Sequence, residues 1–215
     1  PSPFTRVGPS LEGAIKPDLV AHAGNTITHG GGMTERGLGV VTLNPDFATT
    51  GKIFVEVAGT SYAAPFIAHL AARLLNDYPR STNLVRALLA LNAQPTEATR
   101  ALMLPKKRKA AEEKRYFYTC GYGAVNSDTL FRSSEEDVSL IVEEEILNDS
   151  FHVYELPIPS NLWAGHRVRT VRVALSYTPA VRRQRLKYKA TRIDFRLILA
   201  DSAEEAEEAF RKEEN

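Results

Sequence analysis

The segment Gly59-Thr60-Ser61-Tyr62-Ala63-Ala64-Pro65-Phe66-Ile67-Ala68-His69-Leu70-Ala71-Ala72-Arg73-Leu74-Leu75-Asn76 changes the character of the chain. Before it runs Ile53-Phe54-Val55-Glu56-Val57, a short β-branched and aromatic stretch that reads as a strand. From Ser61 onward apolar residues surround nearly the whole helical wheel, the pattern of a buried helix. Pro65 is compatible with that helix. It falls in the first turn, where its missing N–H has no intrahelical acceptor. Asn76-Asp77-Tyr78-Pro79 ends the run. A second helix follows, capped by Ser81 or Thr82, with Leu84, Val85, Leu88, Leu89 and Leu91 as its apolar face.

The expected unit is therefore strand, turn, helix, with Gly59 in the turn and Ser61 at the helix start. Two readings of Ser61 stand side by side. Serine is a favoured N-cap, and many helices begin with one. A hydroxyl beside the free N–H groups and the positive end of a helix dipole could also attack a carbonyl, with negative charge favoured there.

Upstream, Leu19-Val20-Ala21 and Gly39-Val40-Val41-Thr42-Leu43 read as short strands, and Gly30-Gly31-Gly32 as a loop. Downstream, 105–115 (PKKRKAAEEKR) is expected to be a solvated connector, Tyr116-Phe117-Tyr118-Thr119 a strand and Cys120-Gly121-Tyr122-Gly123 a turn. From 138 the pattern is β-rich, with candidate strands at 138–146, 151–156, 168–177 and 191–199. Alternation is clearest from Val171 to Tyr177. The expected organisation is an α/β part over 1–132, an antiparallel β-sandwich or jelly roll over 133–200, and an acidic helical or disordered tail over 201–215.

The 215 residues carry 27 Lys and Arg against 26 Asp and Glu, with 43% apolar and 25% charged residues. This is the composition of a folded globular chain, not of a disordered polyampholyte or a membrane bundle. The net charge of +1 conceals segregation. Residues 133–155 hold eight acids and no base, and 156–193 hold nine bases and no acid. Pairing between these two blocks is the expected arrangement. The alternative is an acidic partner gripped by Arg167, Arg169, Arg172, Arg182, Arg183, Arg185, Lys187, Lys189 and Arg192. Neither nucleic acid nor a membrane is an expected partner. A single Cys, Cys120, excludes an intramolecular disulfide. No Cys or His pair has zinc spacing, so no metal or cofactor is assigned.

The word Gly59-Thr60-Ser61-Tyr62-Ala63-Ala64-Pro65 resembles the nucleophile motif of subtilisin-like serine proteases, usually Gly-Thr-Ser-x-Ala-Ala-Pro before a hydrophobic helix. Two further words match in family order. Gly8-Pro9 followed by Lys16-Pro17-Asp18-Leu19-Val20-Ala21 resembles the family's Gly-Pro and Lys-Pro-Asp-Ile-Val-Ala-Pro-Gly segment. Gly121-Tyr122-Gly123-Ala124-Val125-Asn126 resembles the word that closes the catalytic domain. The resemblance covers roughly residues 4–131. His22-Ala23-Gly24 departs from the family's Pro-Gly. His69 stands where the family helix has a small residue, and is expected to be a buried, hydrogen-bonded histidine.

The resemblance implies the C-terminal half of a subtilisin-like parallel-sheet domain, belonging to a serine endopeptidase that cleaves polypeptide through an acyl-enzyme on Ser61. Gly59 and Thr60 would shape the nucleophile turn. In subtilisin the triad runs Asp, His, Ser along the chain, so Asp, His and the oxyanion Asn are expected upstream of Pro1. None of His22, His29, His69, His152 or His166 lies in a Gly-His-Gly-Thr-His word. The chain alone is expected to be inactive and to need the missing N-terminal half, or to self-associate through the surface that half would cover. Calcium is common in the family but maps to no residue here. A rival word, His29-Gly30-Gly31-Gly32, spells the oxyanion segment of lipases, but the Gly-x-Ser-x-Gly that fold requires is missing.

Overall fold

The computed structural model describes residues 1–29, 32–79, 81–104, 109–131, 140–156, 170–185, 187 and 189–213. The chain divides into two compact units, Pro1–Arg132 and Ser133–Asn215.

In the first unit, β1 (Ile27–His29) pairs antiparallel with β2 (Gly32–Thr34). β3 (Val40–Leu43) runs through a short helix, α1 (Phe47–Thr50), into β4 (Phe54–Val57), its antiparallel partner. Then follow α2 (Thr60–Asp77), α3 (Thr82–Leu91), β5 (Ala93–Gln94), α4 (Glu97–Met103), α5 (Ala110–Cys120), β6 (Ala124–Val125) and α6 (Ser127–Leu130). β5 and β6 pair antiparallel. Local chemistry sets the helix starts. The Leu84 N–H donates to Ser81 Oγ at 3.4 Å, and the Thr99 N–H to Thr96 Oγ1 at 3.2 Å. The Lys109 N–H donates to Glu112 Oε2 at 3.1 Å, the return half of a capping box.

The core forms where α2 meets α3. Leu70 and Leu74 are 1% and 0% exposed and join Val85, Leu89 and Leu130, with Leu19, Ile67, Leu88, Val125 and Phe131 packed around them. The Arg73 guanidinium covers the Phe131 ring at 3.9 Å.

Two of the sequence words meet through their backbones. The Tyr122 N–H donates to Asp18 O at 2.8 Å and the Val20 N–H to Gly123 O at 3.0 Å, while Val20 forms a parallel bridge with Ala124. Gly121 has φ +58, and a Cβ there would lie 2.2 Å from the carbonyl oxygens of Pro17 and Asp18. Only glycine admits this approach.

Several expectations change. The architecture is mixed α/β, but among the described residues the only parallel pairing is the Val20–Ala124 bridge. Tyr116–Thr119 is helix, within α5, not strand. Its aromatic run has strand-like composition, yet Tyr116, Thr119 and Cys120 are buried at helical spacing, and that packing overrides local preference. Residues 110–115 of the expected connector belong to the same helix, and 105–108 lie outside the described residues. α4 was not anticipated, although Pro95-Thr96 before Glu97 is a start signal. α2 is not buried all round: Tyr62, Phe66 and Leu75 are exposed, and so is His69.

In the second unit, the described parts of the expected strands, 140–146, 151–156, 170–177 and 191–199, form no ladder. The pairing present is an antiparallel bridge between Val181 and Lys189. A sandwich over 133–200 is therefore not shown. The tail forms α7 (Ala203–Glu213), whose Phe210 ring meets Phe151 at 5.0 Å.

Tyr116 is 3% exposed, and its hydroxyl has no partner among the described residues. Burial, and then the Cys120 thiolate, push its pKa up to about 12, opposed by Arg100. A phenol released by unfolding ionises near 10. Between those values the unfolded chain sheds a proton that the folded chain keeps, so stability falls as pH rises through that window. Urea melts from pH 9 to 12 should show this decline, and Tyr116→Phe should flatten it. At neutral pH, Leu74→Ala should cost about 2–5 kcal/mol in the same assay.

Candidate functional site

The Ser61 hydroxyl is positioned by a strand, a two-residue connection and a helix. β4 ends at Val57, Ala58 follows, and Gly59 occupies the N-cap of α2. Gly59 makes no side-chain cap, and Ser61 is the second helical residue rather than the cap. Among the described residues no hydrogen bond engages Ser61 Oγ, and the residue is exposed. Ser81, which does cap a helix, makes the contrast plain. The capping account of Ser61 does not hold.

Helical geometry sets the direction in which Ser61 points. Leu70 is nine residues on, two and a half turns at about 3.6 residues per turn, and so lies on the opposite side of α2. Burial of Leu70 therefore turns Ser61 outward. Pro65, Ala68, His69 and Ala72 share the Ser61 side and are exposed with it. The first N–H groups of a helix have no intrahelical acceptor, so the Thr60 and Ser61 amides are available to an anion beside the hydroxyl.

The turn is held from behind. The Gly59 N–H donates to Ala23 O at 2.8 Å, which ties the Gly59–Ser61 turn to the segment after Val20. Gly24 has φ +72, and a Cβ there would lie 2.7 Å from Val57 O and 3.1 Å from the Ala58 Cβ. The Ser2 hydroxyl donates to Gly24 O at 2.9 Å. The His22-Ala23-Gly24 departure thus still supplies a glycine pressed against the strand that delivers Ser61. Sequence reading marked this turn only as different from the family's. The left-handed Gly24 was the available signal. Thr26, three residues from Ala23, is buried with an unpartnered Oγ1.

The structure brings Gly59, Thr60 and Ser61 into one turn and packs Ala23 and Gly24 behind it. It does not bring a base to Ser61: no histidine hydrogen-bonds to it among the described residues. His69 is two turns along the helix and His22 is exposed. His152 bonds instead to Glu144 and Tyr154 in the second unit, at 2.9 and 3.1 Å. Cys120 is buried, its thiol raised in pKa by burial, with Sγ 3.9 Å from Met103 Sδ. It is a packed thiol, not a nucleophile. No group of three His, Cys, Asp or Glu able to hold a metal occurs among the described residues, and no described helix is long and apolar enough to cross a membrane.

Gly24→Ala should push back the Val57–Ala58 backbone and strain a left-handed position. The expected outcome is a fall in melting temperature of several degrees for the purified chain, at about 2–4 °C per kcal/mol for a protein of this size. Calorimetry checks it.

Comparison with known proteins agrees with the geometry. The subtilase family, Peptidase_S8, matches residues 1–123. An uncharacterized protein of Sinorhizobium fredii (strain NBRC 101917 / NGR234), y4bN, is 38% identical over 206 residues, covering 92% of this chain and 46% of the relative. The chain thus spans about half the length of that relative. No solved structure matches. With that match over more than half of its length, the Gly59–Pro65 word at an outward-facing helix start and its two companion words joined backbone to backbone, the chain belongs to the subtilase family.

Proposed function

We propose that this chain is the C-terminal portion of a serine endopeptidase in which Ser61 attacks the scissile carbonyl of a polypeptide. The observation that carries the reading is the exposed Ser61 in the first turn of α2, uncommitted as a cap and inside the family's motif. The Ser61 N–H donates to the oxyanion, and Gly59 and Thr60 set the turn. The base, its orienting carboxylate and the oxyanion Asn come from a segment of the parent upstream of Pro1, so this chain alone is an unactivated alcohol.

That segment docks on the Ser61 side of α2. In support, Leu75, on that side, is 38% exposed on a helix whose composition calls for burial all round. Ala68 and Ala72, small and exposed, allow close approach. For 133–200 we keep the antiparallel sandwich, supported by the alternation of Val171, Val173, Leu175 and Tyr177. A second reading, a non-catalytic binding module, rests on the basic loop of the second unit.

A fluorophosphonate probe tests the activity. The chain alone should stay unlabelled, and a parent that includes the upstream segment should label at Ser61. Ser61→Ala should lower the parent's kcat by about 10⁶-fold, the effect recorded in subtilisin. A parent that neither labels nor hydrolyses casein would establish a pseudoenzyme.

Purified alone, the chain should dimerise or copurify with its N-terminal half and bind a hydrophobic dye. A clean monomer by light scattering with low dye binding removes the docking surface.

A further inference from the structure

In the second unit a short loop concentrates charge. Val181 and Lys189 form an antiparallel bridge, and the Ala190 N–H donates to Ala180 O at 2.8 Å. Inside this closure the Arg185 N–H donates to Arg182 O at 3.4 Å, and Arg182 Nη2 donates to Ala190 O at 3.3 Å. The backbone thereby turns back on itself over 182–185. Arg182, Arg183, Gln184 and Arg185 line an open concavity of ≈ 440 Å³.

Arg182, Arg183, Arg185 and Lys187 are all exposed, and none has a carboxylate within ion-pair distance among the described residues. Several acids of this unit are engaged elsewhere. Glu144 accepts from Tyr154 and is bound to His152, Asp194 pairs with Arg192, and Glu207 and Glu208 pair with Arg211 and Lys212. Glu205 accepts the Asp201 N–H. Four cations within six residues concentrate positive charge, and like charges repel over the roughly 10 Å screening length of 0.1 M salt. A polyanion relieves that repulsion.

We propose that Arg182, Arg183, Arg185 and Lys187 bind the phosphates of a single-stranded nucleic acid. Guanidinium forks match phosphate oxygens in bidentate geometry. A flexible strand offers one phosphate per nucleotide and can follow a tightly turned row of cations into a hollow. A flat bilayer presents its charge on a surface that cannot enter one. The expectation of pairing between the acidic and basic blocks weighed against such a partner, but among the described residues no acid of that block lies within ion-pair distance of Arg182, Arg183, Arg185 or Lys187. This inference is independent of the peptidase reading.

The test is fluorescence anisotropy of a fluorescein-labelled oligo-dT 20-mer with the full chain. With four phosphate contacts, raising NaCl from 50 to 200 mM should weaken binding about 50-fold. Arg183→Gln should reduce the salt slope by about 0.7, and Arg182→Gln/Arg183→Gln/Arg185→Gln should abolish binding at 200 mM. If the triple variant loses its circular-dichroism signature, the single variant decides. Absence of binding at 50 mM, a slope unchanged by Arg183→Gln, or tighter binding to poly-glutamate or to phosphatidylserine vesicles would each overturn the proposal.

Discussion

The burial of Leu70 and Leu74 against α3 organises the first unit. These two side chains are almost wholly removed from water, and each contributes about 1.5–3 kcal/mol by transfer alone. More important is their direction. Once one side of an eighteen-residue helix is committed to the core, its rotation about its own axis is set. Ser61, half a turn away from Leu70, then has to face outward. The pair of side chains most removed from water thus sets the direction of the Ser61 hydroxyl.

A second constraint places that helix relative to the preceding chain. The segment 16–24 is fastened at both ends through backbone groups, to the Gly121–Gly123 turn at one end and to the nucleophile turn at the other. Such bonds are insensitive to side-chain identity but require close approach, which Gly24 and Gly121 permit. This is why three short words far apart in sequence belong to one device. The first holds the turn, the second carries Ser61 and the third anchors the first.

Charge marks the described part of the second unit. Several of its acids are paired locally, Glu144 with His152 and Tyr154, Asp194 with Arg192, and Glu207 and Glu208 within α7, because short-range partners cost little chain entropy to bring together. The loop at 181–189 carries cations without a neighbouring acid in sequence, and the bridge at its base holds them together.

Much of the first unit was legible in sequence where local chemistry decides. The strand before Gly59, the length of α2, the Ser81 cap and the placing of Ser61 in the first helical turn all follow from periodicity and capping. Tyr116–Thr119 was not legible as helix, since its composition favours a strand and only burial of Tyr116 and Cys120 against their neighbours decides otherwise. Nor could the wheel of α2, apolar on every side, say which side would be covered. Hydrophobic pattern sets a backbone's period. Only long-range packing selects the face, and with it the outward aim of Ser61 and the exposure of His69.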